Sequence, residues 1–506
     1  MDTQDATRET YTATFAASRE RFEQMLGFLD GDRAAALSHG ELEQQLACQG
    51  RQLLCQLFQD HLDLRADREP RLDDVTDADG VARHSVEAGH DRTLATVFGE
   101  VRVTRLAYRR RRRANLHPAD AALNLPPERH SHGLRYLAAH EASRGSFDEA
   151  TAAIRKATGT ELGKRQVEQL AQRAATDVED FYDNRARPNT DADADADDVL
   201  VLSADGKGIV MRPDALRPAT AAAAAASSTK LTTRLSKGEK RNRKRMAEVG
   251  AVYDLTPRVR TPADVLAGSH EQQAPAPTAT NKWLTASVAD TAATVLSEVF
   301  DEAERRDPTH TRTWVALVDG NNHQIDRINA EATARNVTLT ILIDFIHVLE
   351  YLWRAAWNFH PEADPAAENW VKDKALAILN GQASTVAAAI RGKATRLGLP
   401  PAQRANADRC ADYLLNKRGY LDYPTALNNG WPIATGVIEG ACRHLVKDRM
   451  DITGARWGLP GAEAILKLRA VRANDDFPSY WAYHLAQERR RVHESRYANG
   501  TIPRAA

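Results

Sequence analysis

The 506-residue sequence has few cysteines, no long hydrophobic run and almost no net charge. Its four cysteines are scattered and form no Cys-x-x-Cys pair, which argues against a structural zinc site and against a disulfide framework. No apolar run is long enough to span a bilayer, and the first residues do not resemble a signal peptide. We therefore expect a cytoplasmic protein with no membrane partner. No glycine-rich loop of P-loop pattern occurs, so we also expect no nucleotide cofactor.

A net charge of −1 argues on its face against nucleic-acid binding, but the charges are unevenly distributed. One unbroken run consists of Arg109, Arg110, Arg111, Arg112 and Arg113. A second basic cluster consists of Arg234, Lys237, Lys240, Arg241, Arg243, Lys244 and Arg245. Contact with DNA phosphates requires such local patches, and the total charge conceals them. The alternative for each cluster is a solvated loop without a partner.

The first 190 residues predict a mainly helical region with one β-hairpin. Residues 1–85 carry apolar side chains such as Phe22 and Leu26 at helical spacing, which we interpret as a packing or dimerisation region. From Thr93 to Tyr108 the pattern changes to alternation, which predicts a hairpin that leads into the arginine run.

A capping box at Ser146-Phe147-Asp148-Glu149 predicts the start of a helix, which Gly159 should end. A second helix follows with Lys164 and Arg165 at its start, where the recognition helix of a helix-turn-helix motif presents basic side chains. Helix pairs joined by a glycine turn also occur without DNA binding. Together with the hairpin, this pattern predicts a DNA-binding region over residues 86–190, followed by an acidic linker at residues 191–198.

The second half of the chain alternates between strand-like and helical patterns. Short apolar runs rich in β-branched residues predict buried strands that begin at Val199 and cover residues 249–255, 314–318 and 337–344. Periodicity predicts helices over residues 286–305 and from 348 to about 430. We interpret residues 267–281 as a loop, and residues 211–245, with their alanine run, as a mobile surface insertion. A last helix carries Glu439.

Two aspartates interrupt or end strands of this half. Asp205 lies in the strand that begins at Val199, and Asp319 follows the strand at residues 314–318. A carboxylate at the end of a buried strand is costly unless it is paired or binds a metal. With Glu439 on a helix, these aspartates could form an all-oxygen site for hard divalent cations, which two-metal phosphoryl transfer needs.

Five short motifs follow one another along the chain. They are Ala204-Asp205-Gly206-Lys207-Gly208, Val318-Asp319-Gly320-Asn321, Asp344-Phe345-Ile346-His347, Val437-Ile438-Glu439-Gly440 and Gly454-Ala455-Arg456-Trp457. In this order, they resemble the DDE transposases of bacterial insertion sequences, most closely the ISKra family of the Mutator-like group. The resemblance covers roughly residues 90–480. Related sequences carry cysteines around the segment that Arg109 to Arg113 occupy here, and this chain lacks them, so we expect no zinc.

The resemblance implies an α/β fold with a ribonuclease-H-like mixed-sheet catalytic core, preceded by the mainly helical N-terminal DNA-binding region. The core would be divided into residues 199–353 and 431–480. An all-helical insertion would cover residues 354–430, and residues 481–506 would form a C-terminal tail.

The resemblance also implies the chemistry of the site. Asp205, Asp319 and Glu439 would bind two Mg²⁺ ions, with Mn²⁺ able to substitute, and catalyse phosphoryl transfer without a covalent protein–DNA intermediate. Water would release a 3′-hydroxyl at the element end, and that hydroxyl would attack target DNA. The implied accessory residues are Lys207, Asp344, His347, Arg443 and Lys447.

The implied partners are the terminal inverted repeats of the element, target DNA and further copies of the chain, in a cytoplasmic protein associated with the nucleoid. DNA contacts are expected from the arginine run, from Lys164 and Arg165, from Lys240, Arg241, Arg243 and Lys244, and from Arg456 and Trp457.

Several alternatives stay open from the sequence. Asp344 also ends an apolar strand, so it could be the second catalytic acid, or it could cap the helix that follows. Glu439, Arg443 and Lys447 are spaced four residues apart, so they could form an intrahelical salt-bridge ladder. At the level of function, the alternatives are a nuclease or resolvase with the same fold and a domesticated DNA-binding protein without catalysis.

Overall fold

The chain forms a mixed α/β structure whose larger sheet has five strands. The structure is a computed structural model that describes residues 14–185, 198–226, 243–267, 275–452 and 454–504. The chain divides into two units. Met1–Asp183 and Phe477–Ala506 form the first unit, and Asn184–Asp476 form the second. No helix among the described residues is long and apolar enough to cross a membrane.

The first unit contains a helical pair, a two-stranded sheet and a group of shorter helices. Its elements are α1 (Ala16–Asp30), α2 (Asp32–Ala35), α3 (His39–Asp67), β1 (Ser85–Thr96), β2 (Gly99–Arg109), α4 (Pro118–Ala122), α5 (His132–Arg144), α6 (Phe147–Thr158), α7 (Lys164–Ala174), α8 (Val178–Asp183) and, after the whole second unit, α21 (Phe477–Val492).

The predicted hairpin and the predicted helix pair of the first unit are confirmed. β1 and β2 pair antiparallel from Ser85–Arg109 to Thr96–Gly99. The capping box at Ser146 opens α6, and Gly159 ends it in the left-handed conformation at φ +73°. The apolar side chains of α1 behave differently from the packing prediction, because Phe22 and Leu26 stay 44% and 43% exposed. Their predicted role in dimerisation stays a prediction.

Residues 481–506 are not a tail, because residues 481–492 belong to α21 and pack within the first unit. Arg135 of α5 is 1% exposed and donates two hydrogen bonds to Glu488, at 2.5 and 2.6 Å. Buried His484 lies 2.6 Å from Asp177. A buried guanidinium needs carboxylate partners, and Arg135 has two, because Glu488 of α21 pairs with it and Glu128 lies 3.0 Å from its Nε.

The second unit contains the five-stranded sheet and a long helical segment. Its elements are β3 (Val199–Val210), α9 (Pro218–Ala226), β4 (Lys244–Leu255), α10 (Pro262–Leu266), β5 (Ala279–Ser287), α11 (Ala292–Arg306), β6 (Trp314–Val318), α12 (Asn322–Ala334), β7 (Leu339–Ile343), α13 (Phe345–Ala356), α14 (Pro365–Leu379), α15 (Ala383–Arg396), α16 (Pro401–Asn416), α17 (Tyr423–Asn428), α18 (Gly436–Ala441), a π-helix (Cys442–Lys447), α19 (Asp448–Met450) and α20 (Leu459–Ala473).

The strand order in the sheet is β5-β4-β3-β6-β7. β4 pairs antiparallel with both β3 and β5, whereas β6 pairs parallel with both β3 and β7. All five residues of β6 are buried, as expected for a central parallel strand. The carboxyl ends of β3, β6 and β7 therefore point to the same edge of the sheet.

The register of these three strands aligns three aspartates at that edge. Ser203 pairs with Leu317, and Val318 pairs with Ile343. Two residues further along, Asp205 and Asp319 lie at the same level, and Asp344 lies beside Asp319. The predicted positions of β3, β4, β6 and β7 are confirmed, and residues 354–430 contain only helices and turns, as predicted.

Three details of the second unit differ from the sequence interpretation. β5 falls partly in the predicted loop and partly in the predicted helix, which begins only at Ala292. The alanine run is helical, in α9. Arg245 belongs to β4 and is fixed by hydrogen bonds to the carbonyl oxygens of Val288 (2.7 Å) and Ala289 (3.0 Å). The end of the basic cluster is thus part of the sheet and not a mobile insertion.

Candidate active site at the edge of the sheet

The three predicted acids line one open cleft of about 440 Å³ in the second unit. Asp205 comes from β3, Asp319 follows β6, and Glu439 comes from α18. The five predicted accessory residues line the same cleft: Lys207, Asp344, His347, Arg443 and Lys447. The fold thus brings together eight residues that are up to 242 positions apart, since the set runs from 205 to 447.

Asp205 of β3 is hydrogen-bonded to the π-helix that begins at Cys442. Its Oδ1 accepts a hydrogen bond from the backbone N–H of Gly206 at 2.7 Å. The thiol of Cys442 lies 3.4 Å from Asp205 Oδ2 and donates to it. Burial and the charge of Asp205 raise the pKa of this thiol, so it stays protonated and remains a donor.

Asp319 is exposed, and its position depends on the loop that follows β6. Its Oδ1 accepts from the backbone N–H of Asn321 at 2.8 Å. Gly320 has φ +93°, and a Cβ atom there would lie 2.7 Å from the hydroxyl of Tyr413. Only glycine adopts this conformation without strain and leaves room for that hydroxyl.

Asp344 has a structural role, as one of the alternatives predicted. It is the N-cap of α13, where its Oδ1 accepts from the backbone N–H of Ile346 at 2.9 Å. Its Oδ2 accepts from the hydroxyl of Thr435 at 2.6 Å. The side chain is buried, which raises its pKa, and these hydrogen bonds partly oppose the shift. Both carboxylate oxygens of Asp344 therefore already accept hydrogen bonds, whereas only Oδ1 of Asp319 does so in the described part of the chain.

Glu439 projects into the cleft from a helix whose other side is buried. Ile438, Cys442 and Leu445 are each about 3% exposed or less, which confirms the predicted core side. The predicted salt-bridge ladder is not formed among the described residues, because Arg443 instead lies 3.9 Å from Asp448. The π-helix accounts for this difference, since its wider turn shifts side chains four residues apart out of alignment.

The donor atoms of the cleft suit a hard divalent cation. Five carboxylate residues line it, Asp205, Asp319, Asp344, Glu350 and Glu439, and carboxylate oxygens are the ligands that Mg²⁺ prefers. However, no group of three or more His, Cys, Asp or Glu side chains in the described ranges is arranged closely enough to hold an ion. The chemistry of the residues therefore fits Mg²⁺, and the carboxylates would have to approach one another on binding.

Several residues of the site were missed from the sequence. Tyr413 contacts Asp319, and Thr435 contacts Asp344, each from a distant segment of the chain. No local motif marks either residue. Glu248 of β4 lines a second cleft of about 360 Å³, which also includes Asp205 and Asp319. Burial raises the pKa of Glu248, and the charge of Arg217 opposes that shift. A carboxylate inside a mostly apolar strand was the available signal for Glu248.

The predicted DNA-binding residues of the first unit are exposed. Arg109 pairs with Glu87, and Arg113 pairs with Asp79. No ion pair involves Arg111 or Arg112 in the part of the chain that the structure describes. Lys164 lies 2.5 Å from Asp148, and Arg165 is exposed beside it at the start of α7. These positions are accessible to DNA phosphates, but nothing in the geometry identifies a partner.

The remaining predicted DNA contacts have different environments. Trp457 is 5% exposed, donates to the carbonyl oxygen of Met450 and packs under Arg449, so its predicted DNA contact is wrong. Arg456 is exposed. Lys244 begins β4 and is exposed, and Arg243 precedes it. Lys240 and Arg241 lie outside the described residues.

No family model matches the sequence, and no curated protein is significantly similar to it.

Proposed function

We propose that the second unit is a metal-dependent phosphoryl-transfer enzyme with a ribonuclease-H-like sheet. The strand order β5-β4-β3-β6-β7 supports this class, because its first three strands in sequence are antiparallel and the last two run parallel to the first. The cleft lies at the carboxyl ends of the parallel strands, which is where open α/β sheets bind their ligands.

Within this class, we propose a DDE-type DNA transposase of a bacterial insertion sequence. The observation that carries the proposal is the common cleft of Asp205, Asp319 and Glu439. All three residues lie in short sequence motifs, and the fold brings them to one edge of the sheet although Asp205 and Glu439 are 234 positions apart.

Within the cleft, each group has a distinct role. Asp205, Asp319 and Glu439 would hold Mg²⁺, which when bound supplies charge stabilisation to the phosphoryl oxygens. Lys207, Arg443 and Lys447 are exposed at the same cleft and would bind DNA phosphates on either side of the reacting bond. Cys442 would keep Asp205 oriented, and Asp344 would hold the start of α13.

Isosteric substitutions of the acids test this proposal. Asp205→Asn, Asp319→Asn and Glu439→Gln should each abolish Mg²⁺-dependent cleavage at the element ends and leave DNA binding largely intact. Asp344→Asn is the matched control, since asparagine also caps helices and should retain activity. If Asp344→Asn is inactive and Asp319→Asn cuts normally, the second acid is misassigned.

The products of the reaction distinguish transposition from simple cleavage. Joining of the released 3′ ends to a target plasmid is expected. Cleavage without joining would instead indicate a nuclease or resolvase, and binding without cleavage by the unmodified protein would indicate a non-catalytic DNA-binding protein.

A further inference from the structure

The helical segment between β7 and α18 contains a lysine that has no acidic partner among the residues that the structure describes. The ammonium group of Lys393 lies 4.9 Å from the ring centre of Phe359 and 5.5 Å from that of Trp370. It also lies 3.0 Å from His360 Nε2. Because an ammonium group can only donate, His360 Nε2 is the acceptor of this hydrogen bond. Two aromatic faces and an imidazole therefore fix this cation in place.

Two further cations share these helix faces, because Lys374 follows Trp370 by four residues on α14 and Arg396 follows Lys393 by three residues on α15. Burial lowers the pKa of Lys393, and the positive charges of Lys374 and Arg396 lower it further. Within the described ranges, no carboxylate forms an ion pair with any of the three, and the carboxylate of Asp364 lies 3.9 Å from His360. Like charges that are gathered without an acid repel one another, so the arrangement is unfavourable until an anion binds.

We propose that Lys374, Lys393 and Arg396 form a binding site for the phosphodiester backbone of DNA. This inference rests on the proposed function and extends it to the helical segment. The three cations are side chains of α14 and α15, and the proposed site uses no backbone N–H groups. Such a set of separate side chains suits successive phosphates along a DNA strand better than a single enclosed phosphate. Lys393 is already immobilised by its neighbours, so it loses little side-chain entropy when DNA binds.

The test measures binding of the full-length protein to a short duplex of random sequence over a range of salt concentrations. The triple variant Lys374→Gln, Lys393→Gln and Arg396→Gln should bind at least about tenfold more weakly at low salt, and its salt slope should fall by about 2 to 3 units. Lys393→Arg keeps the charge and should keep the slope. An unchanged slope in a folded triple variant would overturn the proposal.

The single variant Lys374→Gln would be measured as well, and Lys372→Gln is its matched control. The two lysines lie on the same helix about 200° apart around its axis, so only Lys374 can share the surface of Lys393. Removal of the charge at Lys372 should barely change binding, and an equal loss in both variants would mean that only total charge matters.

Further outcomes separate this inference from the proposed catalysis. If the protein binds DNA through the three cations but never cleaves it, the proposed binding site is supported and the proposed transposase activity is contradicted. If the protein cleaves the element ends while the triple variant binds DNA normally, only the proposed binding site is contradicted. Binding to polyglutamate but not to DNA would identify an acidic protein partner and overturn the proposal.

Discussion

The hydroxyl of Tyr413 donates a hydrogen bond to the carbonyl oxygen of Asp319, which lies 94 residues earlier in the chain, at a distance of 3.2 Å. Tyr413 belongs to α16, in the helical segment, and its ring stacks on Tyr351 of α13 with 4.0 Å between the ring centres. Lys417, which directly follows α16, makes a second contact nearby, with Asn322 at the start of α12. The helical segment therefore helps to position one of the proposed catalytic acids.

Tyr413→Phe should reduce cleavage several-fold without weakening DNA binding. The substitution removes the hydrogen bond and keeps the stacked ring, at a cost of about 1 kcal/mol in unfolding free energy. Burial raises the pKa of the Tyr413 hydroxyl, so it is a donor throughout the working pH range. Tyr351→Phe, which removes the hydroxyl from the other ring of the stack, is the control.

Cleavage rates and DNA-binding constants would be measured for Tyr413→Phe and Tyr351→Phe. Equal losses of cleavage in the two variants would contradict a positioning role for the Tyr413 hydroxyl.

Gly320→Ala should lower the unfolding free energy by about 1 to 3 kcal/mol, because φ of +93° is strained for alanine and its Cβ would press on Tyr413. Gly392→Ala, in the middle of α15 where no atom lies within 4 Å of the added Cβ, should stabilise by about 0.5 to 1 kcal/mol instead. Urea unfolding of both variants checks the prediction. Stability at the wild-type level in Gly320→Ala would show that the loop can rearrange.

Asp344→Asn should change how stability depends on pH. The pKa of Asp344 is raised in the folded protein, so its contribution to stability is complete below the ordinary value and is lost as pH rises through the folded value. Asparagine does not ionise and lacks this loss. The wild-type advantage over Asp344→Asn in unfolding free energy should therefore shrink as pH rises from about 3.5 to 7. An advantage that grows over this range would mean that the pKa is lowered.

Arg111→Gln should weaken DNA binding and reduce the salt slope by about 0.9 if the arginine contacts one phosphate. Arg109→Gln should have a smaller effect, because its guanidinium already pairs with Glu87. Both side chains are exposed, so neither substitution should change stability by more than about 0.5 kcal/mol. Fluorescence anisotropy at several salt concentrations distinguishes the two. The reverse ranking would argue that the ion pair with Glu87 does not persist in solution.

The fold was predictable where one kind of residue dominates a segment. β6 and β7 are continuous apolar runs, and the acids that follow them mark the edge of the sheet. β5 was missed because it is an edge strand in which only Trp283, Ala286 and Ser287 are buried, so its pattern is weak. The contact of Tyr413 with Asp319 depends on how the helical segment packs, and no spacing in the sequence encodes it.

From the sequence, the role of Asp344 could be narrowed only to two alternatives, a catalytic acid or a helix N-cap. A strand end followed by a helix fits both a catalytic acid and an N-cap, and the sequence cannot distinguish them because Thr435, which engages the second oxygen, is 91 residues away. Trp457 shows the opposite error. Its motif suggested DNA contact, but a large aromatic side chain beside a sheet is more easily buried than exposed.

The position of α21 has a consequence for biosynthesis. The ribosome releases the N-terminal part of the first unit early, together with Arg135 and its partner Glu128, but the second partner, Glu488, follows only after the whole sheet unit has been made. Domains generally fold as units in the order in which they emerge. The five-stranded unit can therefore fold while the nascent chain is still attached, whereas the first unit is complete only when translation has passed α21.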